Sequence, residues 1–203
     1  MTAMKAQGEG GRAARGMAAV SRGLAVMETA MAALAAVALG AIMLIVVVDV
    51  AMRYTLSRPL GWSYDVIGLY LMVAAFFLML SDTLHAHGHV SIDLFMNALP
   101  RGIRNLGLAL GYAAGAVVVA LIAREAWGRF QTAYDGQERV AAIIPWLTWP
   151  AYLIVAVGTA MLTLRMIYRA AGHGASVFSR HDLVELPPPP ETETAAPATG
   201  ADL

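Results

Sequence analysis

Polar and apolar residues fall along this chain in long blocks. A basic, glycine-containing segment from Met1 to Gly23 leads into an apolar run from Thr29 to Val48. A polar joint, Asp49 to Asp65, overlaps the start of a second run, from about Trp62 to Ser81. A connection from Asp82 to Arg104 precedes a third run, about Asn105 to Ala123. The stretch from Arg124 to Arg139 is polar, and a fourth run extends from near Ile144 to about Leu164. A helix crosses a hydrocarbon core of about 30 Å with roughly 20 apolar residues. The pattern therefore predicts an all-α integral membrane fold with four transmembrane helices. The first run exceeds the roughly 7–15 residues of a signal-peptide core, so it reads as a retained span.

The segments between the runs carry their own patterns. Met17, Val20, Leu24, Met27 and Met31 recur at helical spacing, with Arg12, Arg15 and Arg22 on another face. This predicts an N-terminal amphipathic arm lying at the interface. Between spans 2 and 3, Val90, Ile92, Leu94, Phe95, Met96 and Leu99 are interspersed with polar residues, which predicts a short interfacial helix. Pro145 falls near the first turn expected for the fourth span, and Pro150 lies deeper, where a proline bends a helix. Beyond Gly172 the periodicity ends, and Pro187 to Pro190 open a tail of disordered composition. The expected domains are a basic arm over 1–27, a four-helix membrane domain over 28–169 and a Pro-rich tail over 170–203.

Composition agrees with this reading. The chain is 59% hydrophobic and only 14% charged, against roughly 25% charge in soluble domains. Its formal net charge of zero argues against a basic surface for nucleic acid, and membrane lipids are the expected surroundings. With no cysteine, disulfides, thiolate catalysis and thiolate metal sites are excluded. Lys5, Arg12, Arg15, Arg22, Arg101, Arg104, Arg165, Arg169 and Arg180 fall on one side of a four-span chain. Arg53, Arg58, Arg124, Arg129 and Arg139 fall on the other. The excess places both termini in the cytoplasm.

Several polar groups are candidates for function. Asp49 and Arg53 lie at i, i+4, the spacing of a same-face ion pair, with Tyr54 beside them and Asp65 as a possible third member. Charges at a span's end fix a hairpin or contact a partner membrane protein. Trp62, Trp146 and Trp149 stand where interfacial aromatic anchors belong. Gly107, Gly111 and Gly115 recur at i+4 and predict a close helix contact. His85, His87 and His89, near Asp82 and Asp93, raise a metal site, but Gly88 interrupts a helix there and no strand partner is evident. No nucleophile–base arrangement or phosphate loop stands out, so neither catalytic residues nor a cofactor is expected. The first hairpin has no second copy, which favours an accessory subunit over a self-sufficient carrier. A membrane-embedded metalloenzyme using the histidines and a stand-alone small carrier are the alternatives.

Taken together, D-V-A-M-R-Y at 49–54, P-L-G-W-S-Y-D at 59–65, G-H-V-S-I-D at 88–93 and I-P-W-L-T-W-P-A-Y at 144–152, followed by Leu164-Arg165, suggest a family. From about Glu28 to Arg169 the chain resembles the small membrane subunit of tripartite ATP-independent periplasmic (TRAP) transporters, the DctQ-like family. Asp65 departs from it, since the family often has Glu there. The resemblance implies a stable complex with a large permease that carries solute and sodium in a bacterial inner membrane. It also implies a periplasmic substrate-binding protein that delivers the solute, typically an organic acid. The small subunit would enlarge the static scaffold. In that setting Asp49, Arg53 and Asp65 would fix the first hairpin, and His89 and Asp93 the middle segment at the cytoplasmic interface.

Overall fold

The computed structural model describes residues 2–85, 101–142 and 144–178, with side chains from Val20 onward apart from those of His85, Arg101, Val177 and Phe178. Helix α1 runs unbroken over Thr2–Leu56. After a short turn, α2 (Ser63–Val66) passes through a π-helical turn (Ile67–Leu71) into α3 (Met72–His85). Helix α4 spans Arg101–Asp135 and α5 spans Trp149–Phe178. Among the described residues the β-structure is a single bridge between Arg139 and Leu147. Among the described residues four stretches are long and apolar enough to cross a membrane: Val20–Leu56, Ser63–Leu84, Gly102–Asp135 and Trp149–Ser176. The chain is a multi-pass, all-α membrane protein. The expected interfacial helix between spans 2 and 3, with His87, His89 and Asp93, lies outside the described residues. So do the side chains of the N-terminal arm and the tail from 179 onward.

Three boundaries differ from the sequence pattern. The fourth span begins at Trp149, not near Ile144. The preceding backbone is committed to a loop in which Val140 N–H donates to Trp146 O (2.9 Å) and Thr148 N–H to Glu138 O (3.0 Å). Pro150 consequently sits in the first turn of α5, where its missing N–H has no intrahelical partner to lose. Helix α4 continues through the expected loop as far as Asp135, because Ala126, Phe130 and Ala133 keep one inward face at helical spacing. Helix α5 continues past Gly172, since His173 and Ser176 extend its buried face.

The helices lie in an open order, α1–α3–α5–α4. Helix α5 packs along both α3 and α4, α3 packs along α1, and neither α1 nor α3 makes an extensive contact with α4. Of its most apolar stretch, α5 buries 39%, against 17%, 11% and 6% for the other spans in chain order, which puts it inside the layer. Helix α1, at one edge, buries a single seam of Leu24, Glu28, Met31, Ala35, Ala38 and Asp49. The alternating steps of four and three residues keep that seam facing its neighbours, as in a coiled coil. Its other faces present Val26, Leu34, Val37, Met43 and Val47, all more than half exposed. In α5 the same stepping runs through Gly158, Leu162, Arg165, Arg169 and Ser176, all buried.

Small residues set how closely the helices approach. A Cβ placed on Gly158 of α5 would lie 2.3 Å from the Phe77 carbonyl oxygen of α3, so these backbones meet directly. On α4 the buried apolar positions are alanines, Ala116, Ala126 and Ala133. Gly107 and Gly111 face open space, and Gly115 makes ordinary contact with the Met166 sulfur (3.4 Å from its would-be Cβ). The close approach within this chain thus lies at Gly158, not at Gly107 or Gly111.

Candidate functional site

Polar side chains gather at the two ends of the layer, and α1 carries one buried carboxylate at each. Glu28 and Asp49 share the buried seam and are separated by about 32 Å at 1.5 Å per residue, close to the roughly 30 Å of a hydrocarbon core. The two carboxylates therefore mark its two edges.

At the Glu28 end, each spanning stretch contributes. Ser81 of α3 donates to Glu28 Oε1 (2.6 Å), and Arg165 Nε of α5 lies 3.4 Å from the same oxygen. Glu28, Ser81 and Arg165 are each at most 2% exposed. One turn further along α5, Arg169 Nη1 donates to the Tyr112 hydroxyl of α4 (3.1 Å) and lies over that ring at 5.7 Å. His173, another turn on, stacks on Tyr112 (centroids 5.7 Å, 5° between planes), with Nδ1 3.2 Å from Asn105 Oδ1. The charge pattern counts Arg165 and Arg169 among the basic residues on one side of the membrane. They are instead buried within the protein, because i, i+4, i+8 spacing aims Arg165, Arg169 and His173 inward together. A buried ion pair is weak evidence for stability, but losing one partner leaves an uncompensated charge. Here the pair and Ser81 join α1, α3 and α5, and the Arg169–Tyr112 contact adds α4.

At the Asp49 end, both carboxylate oxygens are engaged. Oδ2 accepts from Arg53 Nη2 (2.8 Å), and Oδ1 accepts the Leu60 backbone N–H (2.6 Å) across the turn. The i, i+4 pair thus also closes the hairpin. Tyr64 Oη lies 3.4 Å from Arg53 Nη2. Asp65, half-buried one residue later in α2, makes no ion pair with Arg53. Its side chain projects about 100° around the helix from that of Tyr64. Tyr54 is almost fully exposed. Helix α1 stops at Ser57, whose φ of 50° and Arg58 N–H to Met52 O bond (3.5 Å) give a left-handed cap.

The aromatic residues expected as anchors also cluster at this end. Trp62 is half-buried immediately before α2. Trp146 meets Tyr70 edge-on (6.2 Å), and Tyr70 donates its hydroxyl to the Leu147 carbonyl, tying the π turn to the loop before α5. Trp149 packs against Phe130 and Tyr134 of α4 (6.1 and 5.6 Å). Among the described residues no group of three or more His, Asp and Glu side chains is placed to hold a metal. His85 ends α3.

The sequence reading did not single out Glu28, Ser81, Tyr112, Asn105, His173, Gly158 or Tyr70 as site residues. Two signals were present: Glu28 and Asp49 fall at the same heptad position, and Arg165, Arg169 and His173 recur every four residues. Nothing local distinguishes Ser81 or Gly158.

Compared with known families, residues 42–173 match the model described as "Tripartite ATP-independent periplasmic transporters, DctQ component". Among curated proteins and among solved structures, none matches.

Proposed function

The chain belongs to the DctQ component family of TRAP transporters, and from that premise we propose that it is the small scaffold subunit of a sodium-coupled importer. The partners in this reading are a large permease, held in a stable complex, and a periplasmic binding protein that delivers an organic acid or similar solute. A bacterial inner membrane is the setting, with both termini cytoplasmic. The Glu28 end then faces the cytoplasm and the Asp49 end the periplasm. After Arg165 and Arg169 are set aside as buried, Lys5, Arg12, Arg15, Arg22, Arg101, Arg104 and Arg180 still support that orientation. Trp62, Trp146 and Trp149 set depth on the periplasmic side. His89 and Asp93 belong to the cytoplasmic connection, and Gly107 and Gly111 are available to a partner.

The observation that carries this reading is the open layer. Its charged side chains tie its own helices together, while both edge helices keep broad apolar faces uncovered, as suits a scaffold that a larger membrane protein continues. The test is a mild-detergent pull-down of the tagged chain from its native membrane. Recovery of one much larger multi-span protein at equal stoichiometry is the expected result, and recovery of the chain alone would count against the reading. Arg53→Ala is expected to reduce assembly or uptake and to leave the choice of solute unchanged. A switch in solute selectivity would contradict the scaffold role.

A further inference from the structure

A concave site of about 250 Å³ opens at the Asp49 end, between α1 and the α2–π segment. Its rim holds Arg53, Tyr54 and Tyr64, and its wall is built from Val46, Val50 and Ile67. Asp49 also lines it, but that side chain is buried and both oxygens are occupied by Arg53 and the Leu60 N–H. Arg53 is bound only through Nη2, to Asp49 and Tyr64, and its side chain is 47% exposed. The remaining guanidinium N–H groups have no protein acceptor among the described residues. Tyr54 and Tyr64 stand 84% and 70% exposed beside it.

The order of these groups along the membrane normal identifies an occupant. Arg53 lies at the end of the span, at the edge of the hydrocarbon thickness measured from Glu28. Val46 lies two turns nearer the middle of the span, about 10 Å deeper. A cation and two hydroxyls at headgroup depth, above branched aliphatic side chains, repeat the order of phosphate and acyl chain in a phospholipid. At the interface an ion-paired guanidinium with free N–H groups is well satisfied by a phosphate oxygen, through a charge-assisted hydrogen bond. We infer that this site holds one phospholipid, its phosphate on Arg53 and an acyl chain against Val46, Val50 and Ile67. The inference rests on the membrane-spanning fold and not on the transporter role.

The test uses the full chain purified in mild detergent, with adducts counted by native mass spectrometry. The probes are palmitoyl-oleoyl phosphatidylglycerol, a diacylglycerol with the same acyl chains, and inorganic phosphate. One phospholipid should bind ahead of weaker adducts, the diacylglycerol about tenfold more weakly, as loss of one charge-assisted contact implies. Millimolar inorganic phosphate should not displace the lipid. Val50→Trp, which fills the wall and keeps the ion pair, and Arg53→Gln should each weaken the first binding event about tenfold. If Arg53→Gln fails to fold, Val50→Trp alone decides. Equal lipid binding by the unaltered chain and Val50→Trp would overturn the inference, as would displacement by inorganic phosphate. A photoreactive group at position 54 that captures the permease polypeptide in place of lipid, in the intact complex, would overturn it as well. None of these outcomes would count against complex formation, which the pull-down reads separately.

Discussion

Glu28 has the most at stake among single side chains. It is fully buried, accepts from Ser81 and sits against Arg165, so Glu28→Ala leaves a guanidinium in a low-dielectric site without this carboxylate. The expected loss is about 3–5 kcal/mol, read as a lowered midpoint of thermal unfolding in detergent. Pairing it with Arg165→Met should restore much of that loss, because the double variant removes both charges. A loss as large in the double variant as in Glu28→Ala would show that the pair itself is not what matters. Gly158 is a purely steric case. Gly158→Ala puts a methyl group within 2.3 Å of the Phe77 carbonyl oxygen, and helix backbone cannot yield as a flexible side chain can. An overpacking cost of about 1–3 kcal/mol follows, whereas Gly111→Ala, facing open space, should be nearly neutral in the same melt.

Among the elements, the π turn at Ile67–Leu71 decides how the Asp49 end is assembled. One extra residue in the turn rotates α2 relative to α3, so Ser63 and Tyr64 face the end of α1 while Tyr70 reaches the loop before α5. The bonds that hold that loop include the Val140–Trp146 and Glu138–Thr148 backbone pairs and the Tyr70 hydroxyl on Leu147. Tyr70→Phe removes one hydrogen bond, worth about 1 kcal/mol. The expected outcome is faster proteolytic nicking between 136 and 148, with the global melting temperature little changed. Unaltered nicking would mean that the backbone pairs alone hold the loop.

For the molecule as a whole, the consequential feature is an open layer in place of a closed four-helix bundle. With α5 between α3 and α4, the chain buries little of α1 and α4, and their apolar surfaces are left for lipid or another protein. The absence of native cysteine makes the helix order directly measurable. Cysteines replacing Gly115 and Met166 should be joined by a short bifunctional reagent, since those positions touch across α4 and α5. Cysteines replacing Val37 and Val118, on the exposed faces of the two edge helices, should not. Joining of the second pair within one chain would indicate a closed bundle and overturn the layer.

The number of spans and the place of each apolar run were determined by the sequence alone, because crossing a bilayer demands a contiguous apolar run whatever the run later touches. The Asp49–Arg53 pair was legible for a similar reason: both partners lie on one helix, and the spacing of four residues sets their proximity. The start of α5 was not legible, because loop bonds between Val140 and Trp146 and between Glu138 and Thr148 outcompete helix only once the chain has turned back on itself. Nor was the fate of Arg165 and Arg169. A basic residue near a span's end can reach headgroups or turn inward, and only the presence of Glu28 on α1 and Tyr112 on α4 decides which. Gly158 shows the limit most plainly: Gly107 and Gly111 form the better sequence pattern, yet the glycine on which a neighbouring helix backbone closes is Gly158, opposite α3. Within one helix, periodicity dictates which residues share a face. Which face meets which neighbour depends on side chains brought together from distant parts of the chain, and the tertiary structure alone supplies that.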